Sequence, residues 1–146
     1  MTQRLKIAAI VFLILSVIGF IDSAYLTAKH YSGVIPPCTI KGCEVVLASK
    51  YSEVAGLPVA LFGSLYYLVI LSLSASYLVV KKEPIIKFEA ILTPLGLIAS
   101  MYFVYLQLFV IKAICQYCML SAGISTLIFV VGMYVLLELN KNKKLV

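Results

Sequence analysis

Three long stretches of the chain carry no charged residue, 57–80, 90–111 and 113–137, and a fourth, 7–26, is interrupted only by Asp22 near its far end. Crossing about 30 Å of hydrocarbon takes about 20 helical residues, so each stretch is long enough to span a bilayer. Every backbone N–H and C=O in lipid must be bonded internally, which predicts helices for these runs. The expectation is an all-α integral membrane protein. Its four-transmembrane-helix bundle has helices at 5–28, 57–80, 88–111 and 114–138, in a single membrane domain over 1–146. Thr93-Pro94 should kink the third helix without ending it. Arg4 and Lys6 resemble the charged start of a signal peptide, but the apolar run is too long and no Ala-x-Ala-like site follows it. An uncleaved first helix is expected. No internal repeat or low-complexity segment is present.

Composition agrees with this pattern: 63% of the 146 residues are hydrophobic and only 12% charged, against about 25% charged in soluble domains. The net charge of +6 does not indicate nucleic acid, because the basic residues are few and flank apolar runs. They set orientation instead. Arg4, Lys6, Lys81, Lys82, Lys87, Lys141, Lys143 and Lys144 fall on one side; Lys29, Lys41, Lys50 and Lys112 fall on the other, with Glu44 and Glu53. Both termini are therefore expected in the cytoplasm, in a multi-pass protein of the cell membrane whose partner is the lipid bilayer. The loop 30–56 and the short loop near Lys112 are expected outside. All four cysteines then lie on the external side, where disulfides form and persist.

Cys115-Gln116-Tyr117-Cys118 is a C-x-x-C at the mouth of the fourth helix. Spacing of three puts two sulfurs on one helical face. Free N–H groups and the positive dipole end of a first turn favour the thiolate, the reactive form. Cys38 and Cys43 form a second pair in an exposed loop bent by Pro36-Pro37 and Gly42. Residues 44–55 predict a short interfacial helix in this first external loop, with Val45, Val46 and Leu47 as its apolar mass. A loop pair can collect electrons from a soluble thiol protein, and a helix-mouth pair beside lipid can pass them to a hydrophobic acceptor, which suggests a relay by thiol–disulfide exchange. Two structural disulfides and a four-cysteine zinc site remain alternatives. No metal is expected on the first reading, and haem is set aside because His30 is the only histidine and reads as a polar residue at a helix end.

Asp22 is an acid inside an apolar run and so a functional candidate, although it lies close enough to the outer end to reach the interface. Gln107, Ser121, Ser125 and Thr126 read as helix-packing groups. Tyr25, Tyr31, Tyr77, Tyr117 and Tyr134 read as an aromatic belt.

Together these pieces resemble the vitamin K epoxide reductase family in its short prokaryotic form without a fused thioredoxin-like domain. The matching residues run in order. Asp22-Ser-Ala-Tyr-Leu-Thr27 ends the first helix, Cys38 and Cys43 form the loop pair, and Cys43-Glu-Val-Val-Leu-Ala-Ser49-Lys-Tyr follows. Gly56-Leu-Pro58 precedes Phe62-Gly63-Ser-Leu-Tyr66-Tyr, and Cys115-Gln-Tyr-Cys118 opens the fourth helix. The resemblance implies a bundle around a quinone pocket. It makes Cys118 the residue that reduces the quinone, Cys115 its partner, Cys43 the residue that exchanges with Cys115, and Cys38 the entry point from a thioredoxin-like, DsbA-like protein. It also places Ser49, Leu47, Phe62 and Tyr66 at the pocket. The amide and tyrosine that hold the quinone in mammalian members correspond to Val59 and Ala122. That argues for a menaquinone or ubiquinone acceptor in disulfide formation rather than vitamin K epoxide. A DsbB-like reductase is the runner-up, with its two cysteine motifs in the reverse order.

Overall fold

The computed structural model describes residues 3–39 and 41–145. Four helices are long and apolar enough to cross a membrane: α1 (Gln3–Ser32), α3 (Val59–Val80), α4 (Glu83–Tyr105) continued by a π-helical segment (Leu106–Ile111), and α5 (Gln116–Lys144). Their outward faces carry exposed Ile14, Ile21, Leu68, Ile91, Ile98, Leu127 and Leu137. Apolar side chains turned outward from every long helix are what a bundle solvated by lipid requires. The chain is a multi-pass membrane protein built as a four-helix bundle.

The helices outrun their apolar stretches. Helix α1 continues through Lys29 and His30, and α5 through Lys141, Lys143 and Lys144. Basic side chains suit a helix C-terminus electrostatically and extend it into water. Helix α4 starts at Glu83, earlier than the position 88 expected, because Pro84 in its first turn and the acidic Glu83 both favour helix initiation. Helix α5 starts at Gln116 rather than 114, since Cys115 has extended backbone as its N-cap. Pro94 lies within α4, which continues past it.

The first loop departs from expectation. A short helix, α2, covers only Cys43–Leu47, not the span 44–55. A 3-10 turn follows at Lys50–Ser52, and then a two-stranded hairpin, β1 (Glu53–Val54) and β2 (Leu57–Pro58). The hairpin turn is Ala55-Gly56, both at positive φ (54° and 81°), which is the backbone a two-residue turn needs to match strand twist. Gly56 makes that turn available, and the turn ends any helix.

Arg4 pairs with Glu138 at 3.5 Å, joining the start of α1 to the end of α5. At the other end Thr39 and Tyr117 tie the first loop to α5, with hydrogen bonds to Gln116 Oε1 (2.7 Å) and the Pro37 carbonyl (2.6 Å). The molecule therefore has a lysine end and a cysteine end. The main core, with Leu5, Phe12, Tyr77, Ile86, Val135 and Leu139 fully or almost fully buried, fills the lysine half. Tyr77, expected in an interfacial belt, belongs to this core at 1% exposure.

Candidate functional site

The four cysteines converge. Cys43 and Cys115 are completely buried and pack in one small cluster with Val46, against which Cys38 and Cys118 also pack. A disulfide joins Cys38 to Cys43, while Cys115 and Cys118 are free thiols. Gly42 brings the two segments together. Its φ is 129°, and a Cβ there would lie 3.0 Å from the Ile114 carbonyl oxygen, so glycine serves both the turn and the close approach.

Two irregular backbone features and one side chain aim the helix-mouth pair. The π-helical segment Leu106–Ile111 ends at Lys112, in left-handed conformation. Within it Gln107 is buried, and its Oε1 accepts the Cys115 N–H at 2.9 Å, while its carbonyl accepts the Ala113 N–H at 3.1 Å. The Cys115 carbonyl in turn accepts the Met119 N–H at 3.0 Å, opening α5. Gln107 is therefore the clamp that holds the C-x-x-C at its position. Sequence reasoning assigned it only to helix packing; an uncharged amide eight residues before Cys115, in an otherwise apolar run, was the available signal.

The first turn of α5 acts on Cys115 more than its spacing alone indicates. The Cys118 thiol beside it, with the backbone N–H groups of Cys118 and Tyr117, pulls the Cys115 thiol down to about 7 from 9.0, against the opposing effect of burial. Hydrogen bonds to the ionised form explain the direction.

A cavity of about 720 Å³ opens between α1, α3, α4 and α5 at the cysteine end. Among the described residues, Cys118 is the cysteine that lines it. Ser49, Leu47, Phe62 and Tyr66, singled out by resemblance, all lie on its wall, as do Val59 and Ala122. Gln107, Ser121, Ser125 and Asp22 line it too. The Tyr67 hydroxyl is committed to the Ser121 and Ser125 hydroxyls, at 2.9 Å each, and Ser49 Oγ donates to the Val46 carbonyl at 2.7 Å. By contrast, the Tyr66 hydroxyl and Asp22 Oδ2 are buried without a hydrogen-bond partner among the described residues. Tyr66 reaches across to α4 because residue 96 is glycine, where a Cβ would lie 2.5 Å from the phenol oxygen.

The model of the vitamin K epoxide reductase family matches residues 10–133 of the 146-residue chain. The chain belongs to this family. As a vitamin K epoxide reductase homologue it is a membrane oxidoreductase, of a family that generally works with thiol partners and a quinone. The cavity of this homologue fits such a ligand. It is mostly apolar, it has the volume of a ligand pocket, its wall includes a free thiol, and two residues of that wall, Tyr66 and Asp22, carry a polar atom with no partner among the described residues.

Proposed function

We propose that this vitamin K epoxide reductase homologue oxidises a thioredoxin-like protein and passes the electrons to a quinone of the menaquinone or ubiquinone type, supporting disulfide formation outside the cell. The observation that carries this reading is the arrangement of the cysteines: Cys118 borders the cavity, and Cys115 is packed against the loop pair. Half-exposed Cys38 offers its sulfur to a soluble dithiol. Attack there releases Cys43, which exchanges with Cys115 when the helix-mouth pair is oxidised, leaving Cys118 as the thiol at the cavity. A bound quinone supplies the two-electron acceptor. Tyr66, Phe62 and Leu47 hold its ring, with Ser49 near the mouth. The lysine bias toward the opposite end supports termini in the cytoplasm and cysteines outside.

The test is oxidation of a reduced thioredoxin-like protein by the purified chain, followed as quinone loss. Turnover in the wild type is expected. Replacing Cys118 with Ala should abolish it with any electron donor. Replacing Cys38 with Ser should abolish it with the protein donor but spare much of the turnover driven by a small dithiol that reaches the helix-mouth pair directly. Equal loss with both donors in the Cys38 variant would sink the relay, and no turnover in the wild type would sink the activity itself. Labelling of the cysteines by an impermeant maleimide on intact, mildly reduced cells checks the orientation.

A further inference from the structure

Quinone reduction moves protons as well as electrons, and the cavity wall that includes the Cys118 thiol also includes a buried carboxyl. Asp22 is only 8% exposed, lines the same cavity as Cys118, and leaves Oδ2 without a partner among the described residues. It shares the cavity wall with Cys118, Tyr66 and Tyr67. No lysine, arginine or histidine forms an ion pair with it among the described residues. A carboxyl group in a spanning helix costs stability unless it is used or paired. The Ser23 hydroxyl beside it is already committed to the Gly19 carbonyl at 2.7 Å, so nothing local explains the acid.

We propose that Asp22 is a catalytic proton carrier between the Cys118 thiol and the quinone oxygen; this rests on the quinone reading above. Cys115 gives its proton to water when it ionises. Cys118 gives its proton to the Asp22 carboxylate, and Asp22 hands it to one quinone oxygen. Water at the cavity mouth supplies the proton for the other oxygen. Two S–H bonds break, one S–S bond and two O–H bonds form, and two electrons pass from the cysteine pair to the quinone, leaving a quinol. The groups that face Asp22 limit what else could serve. Helix α3 offers Tyr66 and Tyr67, the latter held by Ser121 and Ser125. Helix α5 and its preceding residue offer only Cys118 and Cys115. Helix α4 and its π-helical continuation line the cavity with no ionisable side chain, and the first loop adds Tyr51. Lys29 and His30 line the cavity nearer the end of α1, and His30 Nε2 is bound to Glu53 at 3.0 Å.

The experiment separates the two half-reactions in purified protein, with a short-chain ubiquinone as the probe. Reduction of the cysteines by dithiothreitol is followed first, and their reoxidation by the quinone is then followed across pH. In Asp22→Asn, which keeps size and polarity, the quinone step is expected to fall about 100-fold, the low end of general acid–base contributions, and to lose its acid-side pH dependence. Cysteine reduction should change less than about 2-fold, well under the tenfold change that about 1.4 kcal/mol corresponds to. Asp22→Glu should restore much of the quinone step. An Asp22→Asn quinone step within a few-fold of wild type overturns the inference. So does equal loss in both half-reactions, and so does a pH profile unchanged in shape. A wild type that never reduces quinone overturns the proposed function and this inference with it, whereas normal wild-type turnover with an unimpaired Asn variant overturns this inference alone.

Discussion

At the lysine end the four helices close on one another; at the cysteine end they part around a cavity. Each half buries one acid, and the two acids are treated differently. Glu89, completely buried in α4, has its Oε1 bonded by the Ser74 hydroxyl of α3, with Oε2 unpartnered among the described residues, and sits among the packed residues of the closed half. Asp22 Oδ2 has no partner among the described residues, and Asp22 lines the cavity. Burial alone therefore does not distinguish a structural acid from a working one. What distinguishes them here is whether the carboxyl is spent on the neighbouring helix or left facing a cavity that a ligand can enter.

Close packing on glycine occurs in both halves. A Cβ on Gly132 would lie 2.5 Å from Thr93 Oγ1, and one on Gly19 would lie 2.5 Å from the Tyr67 ring, whereas one on Gly123 would meet nothing within 4 Å. Helices that approach this closely depend on glycine at the contact. The largest effect expected of any substitution is thus Gly132→Leu, which should cost about 3 kcal/mol or prevent folding by overpacking. Gly123→Leu on the same helix should leave the helical melting midpoint in detergent nearly unchanged. Similar midpoints for the two variants would mean that the lysine half is not closed in the way described.

Next in size is Glu89→Ala. Removing the carboxyl strands the Ser74 hydroxyl and leaves a void, together costing about 2–3 kcal/mol. Glu89→Gln keeps a hydrogen-bonding oxygen and should melt within about 1 kcal/mol of wild type. It should also keep its quinone turnover. Loss of turnover in a stably folded Glu89→Gln would erase the distinction drawn between the two acids.

A smaller effect concerns the cysteine end alone. The Cys115 thiol is held down to about 7 chiefly by the Cys118 thiol, so its thiolate fraction should rise as pH climbs through about 7 and fall away below it. Ultraviolet thiolate absorbance of the reduced protein should show this midpoint. In Cys118→Ala it should move up toward the ordinary thiol range. An unmoved midpoint would assign the effect to the backbone N–H groups of the first turn rather than to the neighbouring thiol.

How much of this was legible in the sequence follows from the solvent. Lipid leaves an apolar chain little choice but helix, so the four spans and the gathering of cysteines at one end could be read from charge and hydropathy alone. Glu89 could not. It borders the third uncharged stretch, inside the helix expected from 88, and nothing in the sequence marks its carboxyl as buried against Ser74. The loop helix was overextended because Val45, Val46 and Leu47 suggested an apolar face, while the Ala55-Gly56 turn that ends it depends on positive φ at both residues. Gln107 was hidden for a related reason. Its role depends on a π-helical turn, and a local departure from the regular helical repeat leaves no periodic trace in the sequence.

The finest discrimination lies within the cavity wall, between two hydroxyls that the family resemblance placed at the pocket together. Ser49 Oγ already donates to the Val46 carbonyl at 2.7 Å, so binding a quinone through it would first break that bond. The Tyr66 hydroxyl is buried and unpartnered among the described residues, and Gly96 leaves it the room it occupies. An unpaired buried hydroxyl costs stability in the free protein, and a ligand carbonyl that accepts from it removes that cost. Tyr66→Phe should therefore raise the quinone KM about 10-fold, equivalent to about 1.4 kcal/mol, with the protein as stable as wild type or more so. Ser49→Ala should change KM by no more than about 2-fold, because its hydroxyl contributes to the loop and not to the ligand. Steady-state quinone titrations of both variants check the ranking. If Ser49→Ala proves the more damaging, the loop hydroxyl must turn from Val46 to the ligand on binding, and the cysteine end would rearrange around its quinone where the lysine end stays fixed.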